Sequence, residues 1–296
     1  MNVFVTGATG FIGIPVVKEL ISAGHRVLGL ARSDEGARAL GATGAEVQRG
    51  SLEDLDSLRK GAAASDAVIH LAFIHDFTRF KENCEIDGRA IEALGSALTG
   101  TRKPLVVTGG LGGLAAPGQV ATEDGVIPPD FPFPRVSEQM ALSLVSKGVR
   151  ASVMRLPQVH DTVKQGLVTY LIAAAREKGV SAYVGEGRSR WAAAHVSDVA
   201  RLYRLALEKN EPGAKYHAVA EEGVRTRAIA ETIARGLKVP AVSLSPEQAA
   251  AHFGWMSAFA VHGLAASSEK TRKNLDWRPT GPGLIADLER MDYTRA

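Results

Sequence analysis

The sequence predicts an α/β fold in which a doubly wound parallel sheet is followed by a smaller C-terminal α+β domain. In the first half of the chain, short apolar runs alternate with longer segments whose apolar residues recur at helical spacing. Strands that alternate with helices form a parallel sheet covered on both faces, because each helix returns the chain to the starting edge of the sheet. Right-handed crossovers then wind the sheet in two directions. Beyond Pro157 the alternation breaks, which indicates a second unit.

The apolar runs predict where the strands lie, and the amphipathic segments between them predict where the helices lie. The run that begins at Asp66 is nearly all apolar, which is typical of a strand buried on both faces. Gly24 ends the first helix as a C-cap. Strands are predicted at residues 2–6, 26–30, 45–48, 66–71, 104–108 and 151–156, with shorter ones near 180–184 and 215–218. Helices are predicted at residues 11–23, 35–40, near 55–58, 77–98, 136–146, 163–178, 197–208, 226–235 and 246–261.

Composition and charge exclude several classes of protein. The 296 residues are 45% hydrophobic and 23% charged, which is typical of a globular chain rather than of a disordered or fibrous one. The net charge is only +3 and the basic residues are scattered, so we expect no nucleic-acid partner. No apolar run approaches the roughly 18 residues of a membrane span, and no targeting signal is visible, so we expect a cytoplasmic protein. The single cysteine, Cys84, allows no intrachain disulfide.

A glycine-rich turn, TGATGFIG, joins the first predicted strand to the first helix. Gly7 permits the tight turn, Gly10 lets a pyrophosphate approach the backbone, and Gly13 lets the helix pack against the strand. The helix N-terminus then faces the phosphates with free N–H groups and the positive end of its dipole. The turn therefore predicts a dinucleotide site, which would be contacted by Gly7, Thr9, Gly10, Phe11, Ile12 and Gly13.

The end of the second strand indicates which dinucleotide binds. In NAD-binding proteins an acidic residue at this point holds the ribose hydroxyls, whereas this chain has Arg32 and Ser33. A guanidinium and a hydroxyl suit a 2′-phosphate, and no carboxylate is there to repel it. We therefore predict NADP(H) as the cofactor. NAD(H) stays open as the alternative, because Asp34 could still reach the ribose.

The predicted dinucleotide site also indicates how the chain is divided into domains. We expect residues 1–160 to form a Rossmann domain, to which the chain returns near 190–210. Residues 161–296 would mainly form the smaller, substrate-binding domain. No cluster of His, Cys, Asp or Glu has the spacing of metal ligands, so we expect no metal site.

Four segments together resemble an extended or atypical short-chain dehydrogenase/reductase of the NAD-dependent epimerase/dehydratase family. They are the N-terminal GATGFIG, DAVIHLA from Asp66, RLP from Arg155 and AHVSDVA from Ala194. The resemblance spans nearly the whole chain. It implies adenine and ribose contacts at Arg32, Ser33 and Leu52, and it implies nicotinamide contacts at Leu71, Ala72, Phe73 and Pro157. Related proteins often pair through the helices corresponding to 77–98 and the one after 136, so the resemblance also implies a homodimer.

The catalytic residues of that family are missing. The family uses a Ser or Thr after the fifth strand and a Tyr-x-x-x-Lys pair, but the corresponding segment here reads FPRVSEQ. Pro134 stands where the tyrosine would be and Glu138 where the lysine would be. No tyrosine occurs between Gly110 and Met154. The tyrosinate that would exchange a proton with a substrate hydroxyl is therefore absent.

Another group would then have to supply the proton. Polar side chains on loops after the strands are the candidates, and Arg135 lies in the region of the missing tyrosine. We select His75 and Thr108 first and His160 next, with Thr108 also expected to contact the cofactor. Each has a structural alternative, since His160 could be a satisfied histidine at the domain junction. His195 and Asp198 match a family motif, and we interpret them as bracing the start of a helix.

Aromatic residues predict an apolar substrate pocket formed by Phe73, Phe133, Trp191, Trp255 and Phe259. A sugar nucleotide would need several Arg and Asn contacts instead. The sequence therefore predicts an NADP(H)-dependent oxidoreductase that reduces a small, largely apolar carbonyl or related unsaturated compound with unusual proton donation. A catalytically silent dinucleotide sensor is the alternative. A nucleotide-sugar epimerase or dehydratase is a weaker one, because its chemistry relies on the missing tyrosine.

Overall fold

The computed structural model describes residues 1–128, 131 and 133–294, and within them a seven-stranded parallel sheet forms the centre. The strands are β1 (Asn2–Thr6), β2 (Arg26–Ala31), β3 (Glu46–Arg49), β4 (Ala67–His70), β5 (Pro104–Gly110), β6 (Arg150–Leu156), β7 (Gln158–His160), β8 (Ser181–Val184), β9 (Arg190–His195), β10 (Lys215–His217), β11 (Glu221–Arg225) and β12 (Ala241–Leu244). The helices are α1 (Gly13–Ser22), α2 (Asp34–Gly41), α3 (Leu55–Ala64), α4 (Phe80–Leu98), α5 (Ser137–Ser146), α6 (Val168–Lys178), α7 (Val196–Lys209), α8 (Thr226–Leu237), α9 (Pro246–Phe253), α10 (Ser257–His262), α11 (Glu269–Leu275) and α12 (Leu284–Arg290).

The strand order confirms the doubly wound sheet. The order is β10-β6-β5-β4-β1-β2-β3, and every neighbouring pair is parallel. The chain winds from β1 towards β3 and then, from β4 onwards, in the opposite direction. Because β1 and β4 are neighbours, with Thr6 opposite His70, a crevice opens between the loops that follow them. Doubly wound folds bind their ligands at this point of the sheet.

Helices cover both faces of the sheet. On one face, the apolar side chains of α1 and α7 pack against the strands together with Trp277. On the other face, α3, α4 and α5 bury Leu58, Ile91 and Leu144 in a second cluster. Burial of these two layers is the main force that holds the sheet against its helices. Among the helices of the described segments, none is both long and apolar enough to cross a membrane.

The smaller unit lies beside the carboxyl end of the sheet. β7, β9 and β11 form one small sheet, β8 and β12 form another, and a third apolar cluster that includes Trp191 joins them to α6, α8, α9 and α12. The chain returns to the main sheet over a longer stretch than 190–210, because β10 is its edge strand and pairs with β6. Farther along, Trp277 packs on α7 and donates a hydrogen bond from Nε1 to the carbonyl of Asp198 at 3.1 Å.

Three predicted helices differ from the observed ones. The segment 77–98 begins with a 3₁₀ turn, Phe77–Arg79, before α4. The segment 246–261 is divided into α9 and α10 at Gly254, whose φ of +56° ends the first helix. The segment 163–178 becomes helical only at Val168, because Asp161 accepts hydrogen bonds from the two amides of Val163 and Lys164 and holds this stretch as a turn.

A buried arginine fixes the edge of the sheet. Arg155 on β6 is fully buried, and its guanidinium forms a two-pronged ion pair with Glu138 on α5 (2.7 and 2.5 Å). The remaining N–H groups donate to the carbonyls of Glu123 and Gly125 and to Nε2 of His217 on β10. All five donors of the arginine are thus satisfied, which is the condition under which a buried ion pair is tolerated.

The same contacts make His217 a source of acid sensitivity. Its Nδ1 donates to the carbonyl of Ser267 at 2.7 Å and its Nε2 accepts from Arg155, so the ring fits only in its neutral form. Burial, together with the adjacent Arg155, lowers the pKa of His217 to about 4. Between about pH 4 and pH 6.5 the imidazole of His217 is mainly protonated in the unfolded chain but mainly neutral in the folded chain. Stability contributed by this group is therefore lost as the pH falls below 6.5.

We expect this histidine to remove about 2 kcal/mol of unfolding free energy between about pH 7 and pH 5. Urea unfolding of wild type and of His217→Gln at the two pH values measures it, since glutamine can keep both hydrogen bonds without titrating. The loss on acidification should be smaller in the variant by that amount. His262→Gln, a change of an exposed histidine on α10, is the control. An equal loss in wild type and His217→Gln would contradict this account.

Candidate active site

A cavity of about 890 Å³ lies along the carboxyl ends of six strands of the main sheet. At one end it is bounded by the glycine turn after β1, by Arg32 after β2 and by the segment 50–53 after β3. At the other end it is bounded by the residues that follow β4, β5 and β6 and by aromatic side chains. Seven of the nine phenylalanines of the chain line it. The cavity therefore joins a polar, glycine-rich end to an aromatic end.

The glycine turn is built for close approach of a ligand backbone. Gly7 has a φ of +67°, and a Cβ at this position would lie 2.6 Å from the amide nitrogen of Ala72. A Cβ on Gly13 would lie 2.0 Å from the carbonyl oxygen of Gly7, so only glycine lets α1 start here. Within the described part of the chain, α1 has no side-chain cap and no acidic residue in its first turn. Its N-terminus is therefore open to the phosphates of a dinucleotide, and the turn fits the predicted cofactor.

Arg32, the residue on which the prediction of NADP(H) rests, follows β2 at the glycine-rich end of the cavity. Its side chain is exposed, lines the cavity, and forms no ion pair or hydrogen bond with any residue that the structure describes. Asp34, the carboxylate that could have favoured NAD, is held by Arg49 at 3.0 Å. Arg49 also donates to the backbone carbonyls of Arg32 and Ser33 and so fixes this corner of the loop. The hydroxyl of Ser33 accepts from the amide of Gly36 and caps α2, and Ser33 lies outside the cavity lining.

The other residues expected at the cofactor line the cavity. They are Thr9, Gly10, Phe11, Ile12, Leu52, Leu71, Ala72, Phe73, Thr108 and Pro157. The hydroxyl of Thr108 is already engaged, since it donates to the carbonyl of His70 at 2.7 Å and lies 2.7 Å from the hydroxyl of Tyr203 on α7. If Tyr203 donates in return, Thr108 has no free proton to offer a substrate. The threonine fixes the end of β5 rather than presenting its hydroxyl.

A chain of buried polar side chains runs behind the cavity. Asp87 on α4 accepts from Ser137 at 2.5 Å with one oxygen and from Nε2 of His70 at 3.1 Å with the other. Nδ1 of His70 then accepts from the hydroxyl of Thr6 at 2.7 Å, and that oxygen accepts from the amide of Ala72. Although burial opposes ionisation, the hydrogen bond from His70, the charge of Arg135 and the hydrogen bond from Ser137 hold the pKa of Asp87 below its ordinary value.

The polar chain ends at Arg135, which lines the cavity. Its Nε donates to the hydroxyl of Ser137 at 3.0 Å, and its guanidinium lies over the ring of Phe73, 4.3 Å from the centroid. A weaker contact of 3.4 Å joins Nη2 to the carbonyl of Thr108. Burial lowers the pKa of Arg135 and Asp87 opposes that shift, so the side chain stays charged at neutral pH. Sequence spacing alone gave no sign that Asp87, on a distant helix, supports it.

His75 lies at the exposed side of the same cavity. Its ring meets the ring of Phe73 edge to face, with centroids 5.3 Å apart. Partial burial and the positive charge of Arg135 lower the pKa of His75 below its ordinary 6.5. The charge of Lys164, which also lines the cavity and which the sequence analysis missed, acts in the same direction. His75 is therefore mainly neutral at neutral pH and gains a proton in mild acid.

Most of the aromatic residues predicted for the substrate converge as expected, but Trp191 does not. Trp255 stacks on Phe77 with ring centroids 4.1 Å apart, and Phe259 and Phe133 meet at 6.1 Å. Phe77, Phe80 and Tyr170 complete this aromatic wall and were missed as ligand contacts. Trp191 is fully buried in the core of the smaller unit, where its Nε1 donates to the carbonyl of Phe259, so its assignment to the substrate is wrong.

His160 was also predicted at the chemistry and lies elsewhere. It is completely buried outside the cavity lining, and its Nδ1 contacts Asp287 on α12 at 2.7 Å. The pair joins β7 to the last helix, so the structural alternative for His160 is the correct one. His195 and Asp198 are structural as interpreted, because His195 caps α7 and Asp198 accepts from the amides of Thr280 and Gly281.

The two positions of the missing catalytic pair have no equivalent chemistry. Pro134 cannot donate a proton, and Glu138 is held by Arg155. Over residues 1–128, 131 and 133–294, no three His, Cys, Asp or Glu side chains come together to hold a metal ion. Among the described residues that line the substrate end of the cavity, Arg135, His75 and Lys164 carry polar nitrogen groups and Tyr170 carries a hydroxyl.

Comparisons with known proteins agree with this fold. Residues 3–220 match the NAD dependent epimerase/dehydratase family. An uncharacterized protein of Schizosaccharomyces pombe is 47% identical over 295 residues, covering 99% of this chain and 100% of its own. The decarboxylating sterol-4-alpha-carboxylate 3-dehydrogenase of Dictyostelium discoideum is 27% identical over 242 residues, covering 76% and 73%. The crystal structure of the UDP-glucose 4-epimerase of Thermus thermophilus in complex with NAD shares the fold, with a TM-score of 0.77 over 100% of both chains at 20% identity. The chain therefore belongs to the NAD dependent epimerase/dehydratase family.

Proposed function

We propose that this protein is an NADP(H)-dependent oxidoreductase that reduces a small, largely apolar carbonyl or related unsaturated compound. The observation that carries the proposal is the continuity of the cavity. A glycine turn suited to phosphates and a wall of phenylalanines line one space, so a dinucleotide and an apolar molecule can meet in it. The bound nicotinamide would supply the hydride. A relative acts, by its name, as a dehydrogenase on a sterol, which is a bulky apolar compound.

The choice of NADP(H) rests on Arg32. A 2′-phosphate brings negative charge close to the end of β2, where the exposed guanidinium of Arg32 forms no ion pair with any described residue. Asp34 would otherwise oppose the phosphate, but Arg49 neutralises it. NAD(H) is the alternative cofactor, as in the crystal structure of the UDP-glucose 4-epimerase of Thermus thermophilus in complex with NAD.

Proton delivery differs from that of the family's tyrosine. We infer that His75 donates the proton to the oxygen that gains negative charge during reduction. It lies between the aromatic wall and solvent, so it can be reprotonated from water after each turnover. Partial burial, followed by the charge of Arg135, lowers the pKa of His75 and thereby makes the protonated ring a stronger acid.

A dinucleotide sensor is the second candidate function. The observation that favours it is the loss of both catalytic positions, with Pro134 and an ion-paired Glu138 in place of tyrosine and lysine. Such a protein would keep the cofactor site and respond to its occupancy without turnover. An epimerase or dehydratase acting on a nucleotide sugar is less favoured, because the aromatic wall offers few hydrogen bonds to a sugar.

The activity is tested by following NADPH absorbance with a panel of apolar aldehydes, ketones, enones and imines. We expect oxidation of NADPH with at least one class of apolar carbonyl compound. Tight binding of NADPH without turnover on the whole panel would contradict the oxidoreductase and favour the sensor.

Replacing Arg32 tests the cofactor. We expect Arg32→Ala to weaken NADPH binding by about 10- to 100-fold, the worth of one charge-assisted contact, and to change NADH binding by less than about threefold. Fluorescence titration of both cofactors measures this. The matched control is Arg26→Ala, at the exposed opposite end of β2. Tighter binding of NADH than NADPH by the wild type would overturn the assignment.

Replacing His75 tests the proton donor. Because only the protonated ring donates, kcat/KM for reduction should rise as the pH falls towards the lowered pKa, below 6.5. We expect His75→Asn to lower kcat by about 100-fold and to abolish that rise. His252→Asn, which lies on α9 outside the cavity lining, should change neither. An unaltered acidic rise in His75→Asn would exclude His75 as the donor.

A further inference from the structure

Arg135 carries a charge that no nearby carboxylate among the described residues neutralises directly. Of its five N–H groups, one bonds Ser137 and one reaches the carbonyl of Thr108 at 3.4 Å. The other three have no acceptor among the residues that the structure describes. Asp87 balances the charge only through the intervening hydroxyl of Ser137. An arginine that has lost much of its water and retains unused donors needs an anionic acceptor, and the cavity is where one can enter.

The orientation of this guanidinium is fixed before any ligand arrives. Phe73 covers one face of it, and Ser137 holds its Nε from the start of α5. Ser137 is in turn tied to Asp87, which is buried and anchored to β4 through His70. The donors are thus held by the sheet and by α4 rather than by a flexible loop. Such preorganised donors lose little entropy when they bind a carboxylate.

The charges around the substrate end of the cavity are of one sign. Lys164 lies on its wall together with Arg135, and the neighbouring His75 is mainly neutral at neutral pH. Among the described lining residues the carboxylates are Glu53, at the far end beside the turn after β3, and Glu138, which Arg155 neutralises. The substrate end therefore has a positive potential inside an otherwise aromatic wall, and such a field concentrates anions.

We propose that Arg135 binds a carboxylate of the substrate, so that the substrate is an apolar carbonyl compound that carries a carboxylate. The planar guanidinium offers two parallel donors to the two oxygens, while the phenylalanines enclose the apolar body. The carbonyl group in this description rests on the proposed function, whereas the carboxylate follows from the cavity alone. Lys164, at the exposed mouth, attracts the anion but does not fix it.

Binding of a matched pair of probes tests the inference without any turnover. We would titrate 3-phenylpropanoate and its uncharged amide into the full-length protein by calorimetry, with and without saturating NADPH. The wild type should bind the acid about 10- to 100-fold more tightly than the amide. Arg135→Met should bind the two probes within about threefold of one another. Arg135→Lys should keep part of the preference, since it retains the charge but not the paired donors.

Two controls separate this outcome from others. Lys164→Met should keep most of the preference, and loss of the preference in this variant but not in Arg135→Met would overturn the proposal. NADPH affinity and Tm of Arg135→Met show whether it folds. If Arg135→Met does not fold, the titrations of the wild type alone still test the proposal, because equal affinity for the acid and the amide would overturn it. Failure of the proposed function would appear instead as absence of NADPH oxidation while the probe preference persists.

Discussion

The buried carboxylate of Asp87 is the interaction on which the candidate site depends. It lies on α4 and joins β4 through His70, β1 through Thr6 and the start of α5 through Ser137. A charge in the core is costly unless it is hydrogen-bonded, and here each oxygen of the carboxylate accepts a hydrogen bond. Removal of Asp87 would leave Arg135 without its counter-charge. The position of the ligand-facing guanidinium is therefore a consequence of core packing.

The second buried pair explains why the family's lysine position holds an acid. Glu138 lies in the first turn of α5 and binds Arg155 of β6 in a two-pronged pair. Arg155 also donates hydrogen bonds to the carbonyls of Glu123 and Gly125 and to His217 of the edge strand β10. A lysine at 138 would place two cations together in a buried site. In this chain the position that the family gives to the lysine thus holds the counter-ion of Arg155.

The sequence predicted the sheet better than the smaller unit, for physical reasons. Strands β1, β4 and β6 are buried apolar runs bounded by turns, and such runs leave a local signal. β9, with three consecutive alanines after Trp191, and the three-residue β7 leave almost none, because their pairing depends on distant partners. Trp191 was misassigned for the same reason: the sequence did not predict β9, the strand that directs this side chain into the core of the smaller unit.

For the candidate site, too, the success of sequence-based prediction depends on whether the residues concerned are adjacent in the chain. The glycine turn and Arg32 could be predicted, because residues adjacent in sequence create that geometry. The support of Arg135 by Asp87 and the pairing of His160 with Asp287 join residues far apart in the chain, and only the folded chain brings such groups together. Sequence patterns therefore located the cofactor end of the cavity. They could not tell which polar side chains of the substrate end are free.

Exchange of a tyrosine–lysine pair for an arginine changes what the protein can give a reacting substrate. A guanidinium stays protonated at any physiological pH, so Arg135 can stabilise a bound carboxylate, as proposed, but cannot transfer a proton to the carbonyl oxygen. That stabilisation is strongest where water is excluded, which is the effect of Phe73 and the neighbouring rings. The proton must then come from a group that can exchange with solvent, and among the cavity's titratable side chains His75 has both the exposure and a pKa shifted towards acid donation. In the proposed function the two side chains therefore have separate tasks: the partly buried Arg135 would hold the carboxylate, and the exposed His75 would deliver the proton.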